Sequence, residues 1–260
     1  MRLANRLPLP ISRRVIPRIP RRWQRFTSAL TWAEAEAASI GYSEVPVADH
    51  LPQLAPNQRL TGNEAALTAA FKVALGGLHS GGEPVRVVDF GGNDGRHAHL
   101  MQGFFEEVSF DWVVVDLPAV VEAMSIRKRP GLDFESELAP VLDDEVDIVL
   151  ASASLNYVPQ PRETIDALCG SASQVVLARL PLWPIREHAA AVQHVQRRPN
   201  EISYPTWFFS EGEFLANLPA GSQVLMDFDC PDDRAAFAGY YLNYRGLVID
   251  SSSTDVCDAL

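Results

Sequence analysis

The stretch Val85-Arg86-Val87-Val88-Asp89-Phe90-Gly91-Gly92-Asn93-Asp94-Gly95 decides the fold. It begins as a short apolar run typical of a buried strand and passes directly into glycines. A helical pattern over residues 96–105 follows at once. In open parallel sheets ligands bind outside the carboxyl ends of strands, and glycine lets the backbone approach a ligand closely. This turn is therefore predicted to hold a ligand.

The glycine spacing discriminates between kinds of nucleotide site. A dinucleotide fingerprint that starts at Gly91 requires glycine at positions 93 and 96, which hold Asn93 and Arg96. A phosphate-binding P-loop requires G-K-[ST], and this is absent from the turn. A nicotinamide-dependent oxidoreductase is therefore a disfavoured alternative.

Short apolar runs alternate with helical stretches along most of the chain. The runs are 85–90, 112–115, 146–151, 175–180, 223–228 and 240–249, and the helical stretches are 32–39, 62–78, 96–105, 119–126 and 162–168. This alternation predicts a doubly wound α/β fold with a mostly parallel sheet. The last two runs are joined by only a short polar connection, 230–234, and residues 235–239, so the last strand is predicted to be antiparallel.

Composition limits the class of protein. The chain has 260 residues, of which 47% are hydrophobic, enough for one large domain or two small ones. No run approaches the roughly 18 apolar residues that a membrane span needs. The cysteines Cys169, Cys230 and Cys257 are odd in number and far apart. A disulfide scaffold and a zinc site built from cysteines are therefore disfavoured, and no metal is expected. The cysteine pattern fits a reducing compartment, so the cytoplasm is the predicted location.

Charge divides the chain into a basic tail and an acidic body. Residues 1–27 form a basic, proline-rich N-terminal tail, residues 28–250 are predicted to form one folded domain, and residues 251–260 form a C-terminal tail. Beyond Arg25 the chain has 14 basic against 33 acidic residues, so nucleic acid is not an expected partner. We expect the basic tail to be solvated; a peripheral contact with an anionic membrane is the alternative, because apolar residues lie among its arginines.

A polar residue also follows the second predicted strand, and a short third strand is predicted at Leu132-Asp133-Phe134. A carboxylate at Asp116 can accept hydrogen bonds from both ribose hydroxyls of a nucleoside. The alternative is an acid at the start of a helix, before Pro118. Asp133 can accept from an adenine amine and Phe134 can stack on the base, although Phe134 is equally compatible with the core.

The loop after the fourth strand carries further candidates for cofactor or acceptor contacts, which are Ser152, Ser154, Asn156 and Tyr157. For Tyr157, packing beneath this loop is an equal alternative. His97 and His99 follow the glycine turn. Residues i and i+2 of a helix face different ways, so we expect one histidine to face the crevice and the other solvent.

The pattern from Val87 to Gly95 resembles the first motif of class I S-adenosylmethionine (SAM) methyltransferases. The chain after the tail is also similar to a bacterial family of proposed SAM-dependent methyltransferases often encoded beside surface-polysaccharide genes. The matching stretches are Trp32-Ala33-Glu34-Ala35, Ser39-Ile40-Gly41-Tyr42, Asp89-Phe90-Gly91-Gly92, Leu155-Asn156-Tyr157 and Ser203-Tyr204-Pro205-Thr206-Trp207-Phe208-Phe209. In that family pattern we expect an acid before the arginine that ends the fifth strand, whereas Ala178 precedes Arg179 here.

The resemblance implies that residues 28–250 form a SAM-dependent methyltransferase domain with the class I (Rossmann-like) fold, and that SAM is the cofactor. The acid at position 89 is then expected near the methionine end of the cofactor. The expected cofactor-binding residues are Asp89, Gly91, Gly92, Asn93, Gly95, Asp116, Leu117, Asp133, Phe134 and Ser152. No oligomeric state is indicated.

The expected activity is methyl transfer to a small polar acceptor, such as a sugar of a surface polysaccharide. The aromatic segment from Leu180 to Trp207 is predicted to form an acceptor lid. His194 is the predicted general base, and Tyr157 is the second predicted catalytic residue. Methyl transfer has no obligatory catalytic residue, so a non-catalytic SAM-binding scaffold or regulator in a biosynthetic complex is the alternative.

Overall fold

The computed structural model describes residues 24–41, 60–78, 82–196 and 201–252. Within these ranges the strands are β1 (Gln24–Ser28), β2 (Val85–Phe90), β3 (Phe110–Val115), β4 (Leu132–Glu135), β5 (Val146–Ser152), β6 (Ala172–Leu180), β7 (Leu182–Trp183), β8 (Ala189–Gln196), β9 (Glu201–Ser210), β10 (Gln223–Phe237) and β11 (Tyr240–Asp250). The helices are α1 (Trp32–Ala37), α2 (Gly62–Gly76), α3 (Arg96–Phe104), α4 (Pro118–Met124), α5 (Leu138–Leu142), α6 (Pro161–Ser171) and α7 (Glu211–Ala216), with 3-10 turns at Ser125–Arg127 and Leu155–Tyr157.

The strands form one mixed sheet in the order β4-β3-β2-β5-β6-β11-β10-β1-β8-β9-β7. Strands β2 to β6 are parallel to their neighbours in this group, and β11 is antiparallel to both β6 and β10. The predicted doubly wound α/β fold with an antiparallel last strand is confirmed. The chain runs outward in opposite directions from β2 and β5, so the crevice at their carboxyl ends is the switch point where ligands bind in such sheets.

Helix α2 covers one face of the sheet. Thr61 and Glu64 form a capping box at its start, in which each side chain accepts a hydrogen bond from the other residue's backbone N–H. The ring of Phe71 stacks on Trp112 of β3 with centroids 5.6 Å apart. On the other face, Ile165 and Leu168 of α6 join a second core cluster. The central strands are buried on both faces, which explains their continuous apolar runs. None of the helices in the described ranges is long and apolar enough to cross a bilayer.

The segment after β6, predicted as a lid, forms β7, β8 and β9 and extends the sheet. Strand β8 pairs antiparallel with both β1 and β9. Phe208 of β9 stacks on Phe237 of β10 with centroids 4.1 Å apart, and it meets Phe26 of β1 edge to face at 4.8 Å. These rings join the added strands to the central core.

The predicted tails lie largely outside the described residues. Residues 1–23, and with them most of the proposed membrane-contacting tail, are not described, and neither are residues 253–260. Strand β1 spans the predicted boundary at residue 27, so the sheet takes in residues 24–27.

The predicted connection at 230–234 is wrong, because these residues lie within β10. Cys230 pairs with Tyr244 and Arg234 with Asn243, so residues 231–233 form a bulge. The hairpin turn lies beyond them, at Ala238 and Gly239, which have φ angles of 48° and 87°. A run of polar residues in a strand resembles a turn until the pairing partner is known.

Replacing Phe208 tests whether the added strands belong to the core. Phe208 is 0% exposed, so Phe208→Ala leaves a cavity, and we expect the free energy of unfolding in urea to fall by about 3 kcal/mol or more. Ile126 is 89% exposed, and the control Ile126→Ala should change the same quantity by less than about 0.5 kcal/mol. Equal stability of the two variants would contradict this packing.

Candidate functional site

The turn after β2 adopts an alternating left-handed backbone. Gly91, Asn93 and Gly95 have φ angles of 72°, 54° and 72°. Glycine adopts such angles freely, and asparagine tolerates them better than most residues. Asn93 therefore takes a backbone position that glycine would favour, and sequence reasoning missed this. The feature that could have predicted this left-handed position is the placement of Asn93 midway between Gly91 and Gly95.

The two adjacent glycines permit close approaches within the protein. A Cβ at Gly91 would lie 2.4 Å from the Cβ of Ser154, in the loop after β5. A Cβ at Gly92 would lie 2.4 Å from the carboxylate carbon of Asp89. Any larger residue at either position must therefore displace a neighbour that shapes the crevice.

Asp89 is fully buried and is hydrogen-bonded inside the protein. The Nδ1 atom of His97 lies 3.0 Å and 3.2 Å from its two carboxylate oxygens. The indole Nε1 of Trp112 donates to the same carboxylate over 3.4 Å. His99, two residues further along α3, is exposed. The carboxylate expected at the methionine end of the cofactor thus anchors the first turn of α3.

Asp116 joins the end of β3 to the glycine turn. Its Oδ2 accepts from the backbone N–H of Asn93 over 2.9 Å, and its Oδ1 accepts from that of Leu117 over 2.7 Å. Leu117 is 45% exposed and immediately precedes α4, whose first residue is Pro118. The structure therefore brings the first two predicted ligand-binding segments into direct contact.

Asp133 and Phe134 occupy different environments. Asp133 pairs with Val113 in the middle of β4, and its Oδ1 lies 2.5 Å from Nζ of Lys128. Burial raises the pKa of the Asp133 carboxyl, but hydrogen bonds from Lys128 and the Phe134 backbone outweigh burial and leave the pKa below its ordinary value. Phe134 is 1% exposed, and its ring lies 3.2 Å from where a Cβ of Gly95 would stand. Phe134 thus packs beneath the turn.

Three buried oxygens in the turn after β2 and the loop after β5 have no hydrogen-bond partner among the described residues. They are Asn93 Oδ1, Ser154 Oγ and Asn156 Oδ1. Ser152, at the end of β5, is 8% exposed, and Asn156 is 0% exposed. Leaving a buried polar group unpaired costs about 1–3 kcal/mol. These oxygens could accept hydrogen bonds from a ligand that enters the crevice.

The loop after β5 contacts the segment that follows β6. The Tyr157 hydroxyl donates to Oε1 of Gln193 over 2.5 Å, and Asn156 Nδ2 donates to Oγ1 of Thr206 over 3.0 Å. The Tyr157 ring meets that of Tyr204 edge to face at 6.4 Å. Burial raises the pKa of the Tyr157 phenol, so this side chain stays protonated at neutral pH and donates hydrogen bonds.

The two predicted catalytic residues are not neighbours on one face. Adjacent residues of a strand point to opposite sides, so His194 faces away from the side of β8 on which Gln193 meets Tyr157. His194 Nε2 instead lies 2.8 Å from Oγ1 of Thr27 in β1. The sequence did not predict the contact between Gln193 and Tyr157, because the register of β8 against β1 was not readable. Among the described residues, no three His, Cys, Asp or Glu side chains are grouped to hold a metal ion.

Comparisons with known proteins bear on the fold. No family model and no curated protein matches the chain. A solved structure of an S-adenosylmethionine-dependent methyltransferase from Clostridium acetobutylicum is similar, with a TM-score of 0.50 and 9% identity over 74% of this chain and 92% of that one.

Two further solved structures align over similar lengths. The Burkholderia thailandensis 1,6-didemethyltoxoflavin-N1-methyltransferase, solved with S-adenosylhomocysteine, has a TM-score of 0.49 and 20% identity over 72% of this chain and 78% of its own. The glycopeptide N-methyltransferase MtfA, solved with SAM, has a TM-score of 0.46. It is 12% identical over 71% of this chain and 92% of its own length. The strand order and the Clostridium likeness together show that this chain has the class I SAM-dependent methyltransferase fold.

Proposed function

We propose that the protein is a SAM-dependent methyltransferase that acts on a small polar acceptor, and that this acceptor is a sugar of a surface polysaccharide. The observation that carries the proposal is a group of buried oxygens at the switch point, on Asn93, Ser154 and Asn156, that have no hydrogen-bond partner among the described residues. They belong to the turn in which Gly91, Asn93 and Gly95 have left-handed backbone angles, or to the loop after β5 that packs against it.

The residues at the crevice suit the hydrogen-bonding groups of SAM. Its ribose carries two hydroxyl donors, and its methionine part carries an ammonium donor. Asp116 would accept from the ribose, while Ser154 and Asn156 would accept from the methionine part. A carboxylate that accepts from a hydroxyl forms a charge-assisted hydrogen bond, about twice as strong as a neutral one.

Bound SAM would supply a methyl group on a positively charged sulfur. The chain's own contribution is to position the acceptor in line with that group and to exclude water. Tyr157 and Gln193 lie together at the loop after β5 and would orient an acceptor oxygen through hydrogen bonds. Since the raised pKa of Tyr157 opposes proton abstraction, we assign it orientation and retain His194 as the candidate base.

A non-catalytic SAM-binding scaffold is the second candidate. One observation favours it: His194 bonds to Thr27 and lies on the opposite side of β8 from Gln193. A methyl-release assay with SAM and cell-envelope extracts separates the two. Formation of S-adenosylhomocysteine above the extract alone supports the enzyme, and its absence supports the scaffold.

The proposed location is the cytoplasm. Cys169 and Cys230 are buried free thiols, and burial raises the pKa of each to about 11. Such thiols are compatible with a reducing compartment.

Replacing Asp116 tests the cofactor assignment. We expect S-adenosylhomocysteine, but not NAD, to release heat on binding in calorimetry. Asp116→Asn removes the charge that accepts from Asn93 and the ribose, so affinity should fall by about tenfold or more. The control Asp166→Asn alters an exposed pair with Arg162 and should bind as the original protein does. Unchanged affinity in Asp116→Asn, or binding of NAD alone, would contradict the proposal.

Replacing Gly92 tests the crowding of the turn. In Gly92→Ala the added carbon meets the Asp89 carboxylate, so we expect weaker S-adenosylhomocysteine binding and a lower melting temperature. Gly103→Ala is the matched control, because nothing lies within 4 Å of its added carbon in α3. It should raise stability by about 0.5–1 kcal/mol, since alanine favours a helix. Calorimetry and thermal unfolding measure both effects, and normal binding by Gly92→Ala would show that the turn has room.

A further inference from the structure

Two bulges lie on either side of β11, near its middle. Leu177 pairs with Leu247 and Leu180 with Arg245, so β6 has one residue more than β11 between these pairs. On the other side, residues 231–233 of β10 are inserted between the partners of Tyr244 and Asn243. Bulges re-aim side chains and are frequent beside active sites.

The first bulge holds Arg179 in a strained backbone conformation. Its φ angle is 59°, which costs a residue with a side chain roughly 1–2 kcal/mol. Simple alternation from Leu177 would place Arg179 in the apolar cluster on the α6 side of the sheet. Instead Leu180 occupies that cluster, and Arg179 reaches the bulge of β10. Strain of this kind persists where the surroundings enforce it, and it concentrates at functional sites.

Arg179 is anchored through one end of its guanidinium. Its Nε donates to Oδ2 of Asp233, which also accepts from Nδ2 of Asn63 over 2.8 Å. Its backbone N–H donates to Sγ of Cys230 over 3.2 Å. Within the described part of the chain this Nε bond is the one hydrogen bond of the Arg179 side chain. The two Nη nitrogens thus keep their donors, and the side chain is 38% exposed.

The surroundings of Arg179 carry no net charge beyond its own ion pair with Asp233. Tyr157 and Tyr244 lie within electrostatic reach of it, and burial raises the pKa of both phenols, that of Tyr244 well above its ordinary value. Both phenols therefore stay uncharged at neutral pH. Asp233 balances the charge of Arg179, so this cluster does not share the net negative charge of the chain.

We propose that Arg179 anchors the acceptor by binding a carboxylate or phosphate group on it through the two Nη nitrogens. The proposal rests on the methyltransferase function proposed above and narrows its acceptor to an acidic small molecule, such as a sugar that carries one of these groups. A guanidinium fixed at Nε presents two parallel donors, which match the paired oxygens of such an anion. The site is connected to the cofactor crevice through Tyr157, which belongs to the loop that contacts Gly91.

The test measures oxyanion binding to the full-length protein saturated with S-adenosylhomocysteine. Inorganic phosphate and acetate are the charged probes, and methyl glucoside is the neutral probe, with calorimetry or NMR as the readout. We expect one or both oxyanions to bind with a dissociation constant of about 1 mM. Arg179→Gln should weaken that binding by about tenfold or more, because the positive charge and the two parallel Nη donors of the guanidinium are lost.

Two further variants separate anion recognition from a structural role. Arg86→Gln removes another ion-paired arginine, near the starts of β2 and β3, and should leave oxyanion binding unchanged. Arg179→Lys keeps the positive charge but loses the two parallel Nη donors. Its oxyanion affinity should therefore lie between those of the original protein and Arg179→Gln. If Arg179→Gln does not fold, the oxyanion affinities of Arg179→Lys and Arg86→Gln are compared. Weaker binding by Arg179→Lys than by Arg86→Gln then supports the proposal.

Either of two results overturns the inference: oxyanion binding that is unchanged in the Arg179 variants, or preference for methyl glucoside with no oxyanion binding. Normal S-adenosylhomocysteine binding in those cases leaves the methyltransferase proposal intact. Failure of the original protein to bind S-adenosylhomocysteine would count against that proposal first.

Discussion

The close approach of the glycine turn to its neighbours is the constraint on which the site depends. Gly92 lets the turn lie against the Asp89 carboxylate, and Gly91 lets it lie against Ser154. The backbone of Asn93 then reaches Asp116 at the end of β3. One bend therefore joins the ends of three parallel strands. The same crowding leaves side-chain oxygens buried without a donor in the part of the chain that the structure describes, an arrangement that costs stability unless a ligand or water pairs with them.

The strands beyond β6 give this crevice a second wall. The inserted segment enters the sheet beside β1, and Gln193 and Thr206 reach back to the loop after β5. The stacked rings of Phe208 and Phe237 hold these strands to the core. A rigid, apolar support of this kind can tolerate the strained backbone of Arg179, because the packing energy of a large ring exceeds the cost of one left-handed residue.

Local patterns predicted the central part of the fold and missed what depends on distant pairing. The run at 85–90 matches β2 at both bounds, because its centre holds the buried apolar residues Val87 and Val88 and the glycines after Phe90 end the strand. Strand β1 was placed in the tail, since its partners, β8 and β10, lie more than 150 residues along the chain and its own residues are mostly polar. The pairing of Gln193 with Tyr157 was not readable from the sequence for a related reason. A shift of one residue in register exchanges the two faces of a strand, and no local feature fixes that register.

The charge of the chain shapes how an acidic acceptor could be recognised. A formal net charge of −11 repels anions at long range, although salt screens this repulsion beyond about 8 Å. Arg179 cannot offset the repulsion through its net charge, because Asp233 neutralises it. Its advantage is geometric: Nε is fixed, and the two Nη donors are held in one plane beside phenols that remain protonated. Recognition would therefore depend on short hydrogen bonds inside the crevice, which distinguish the shape of a carboxylate or phosphate from that of a neutral hydroxyl.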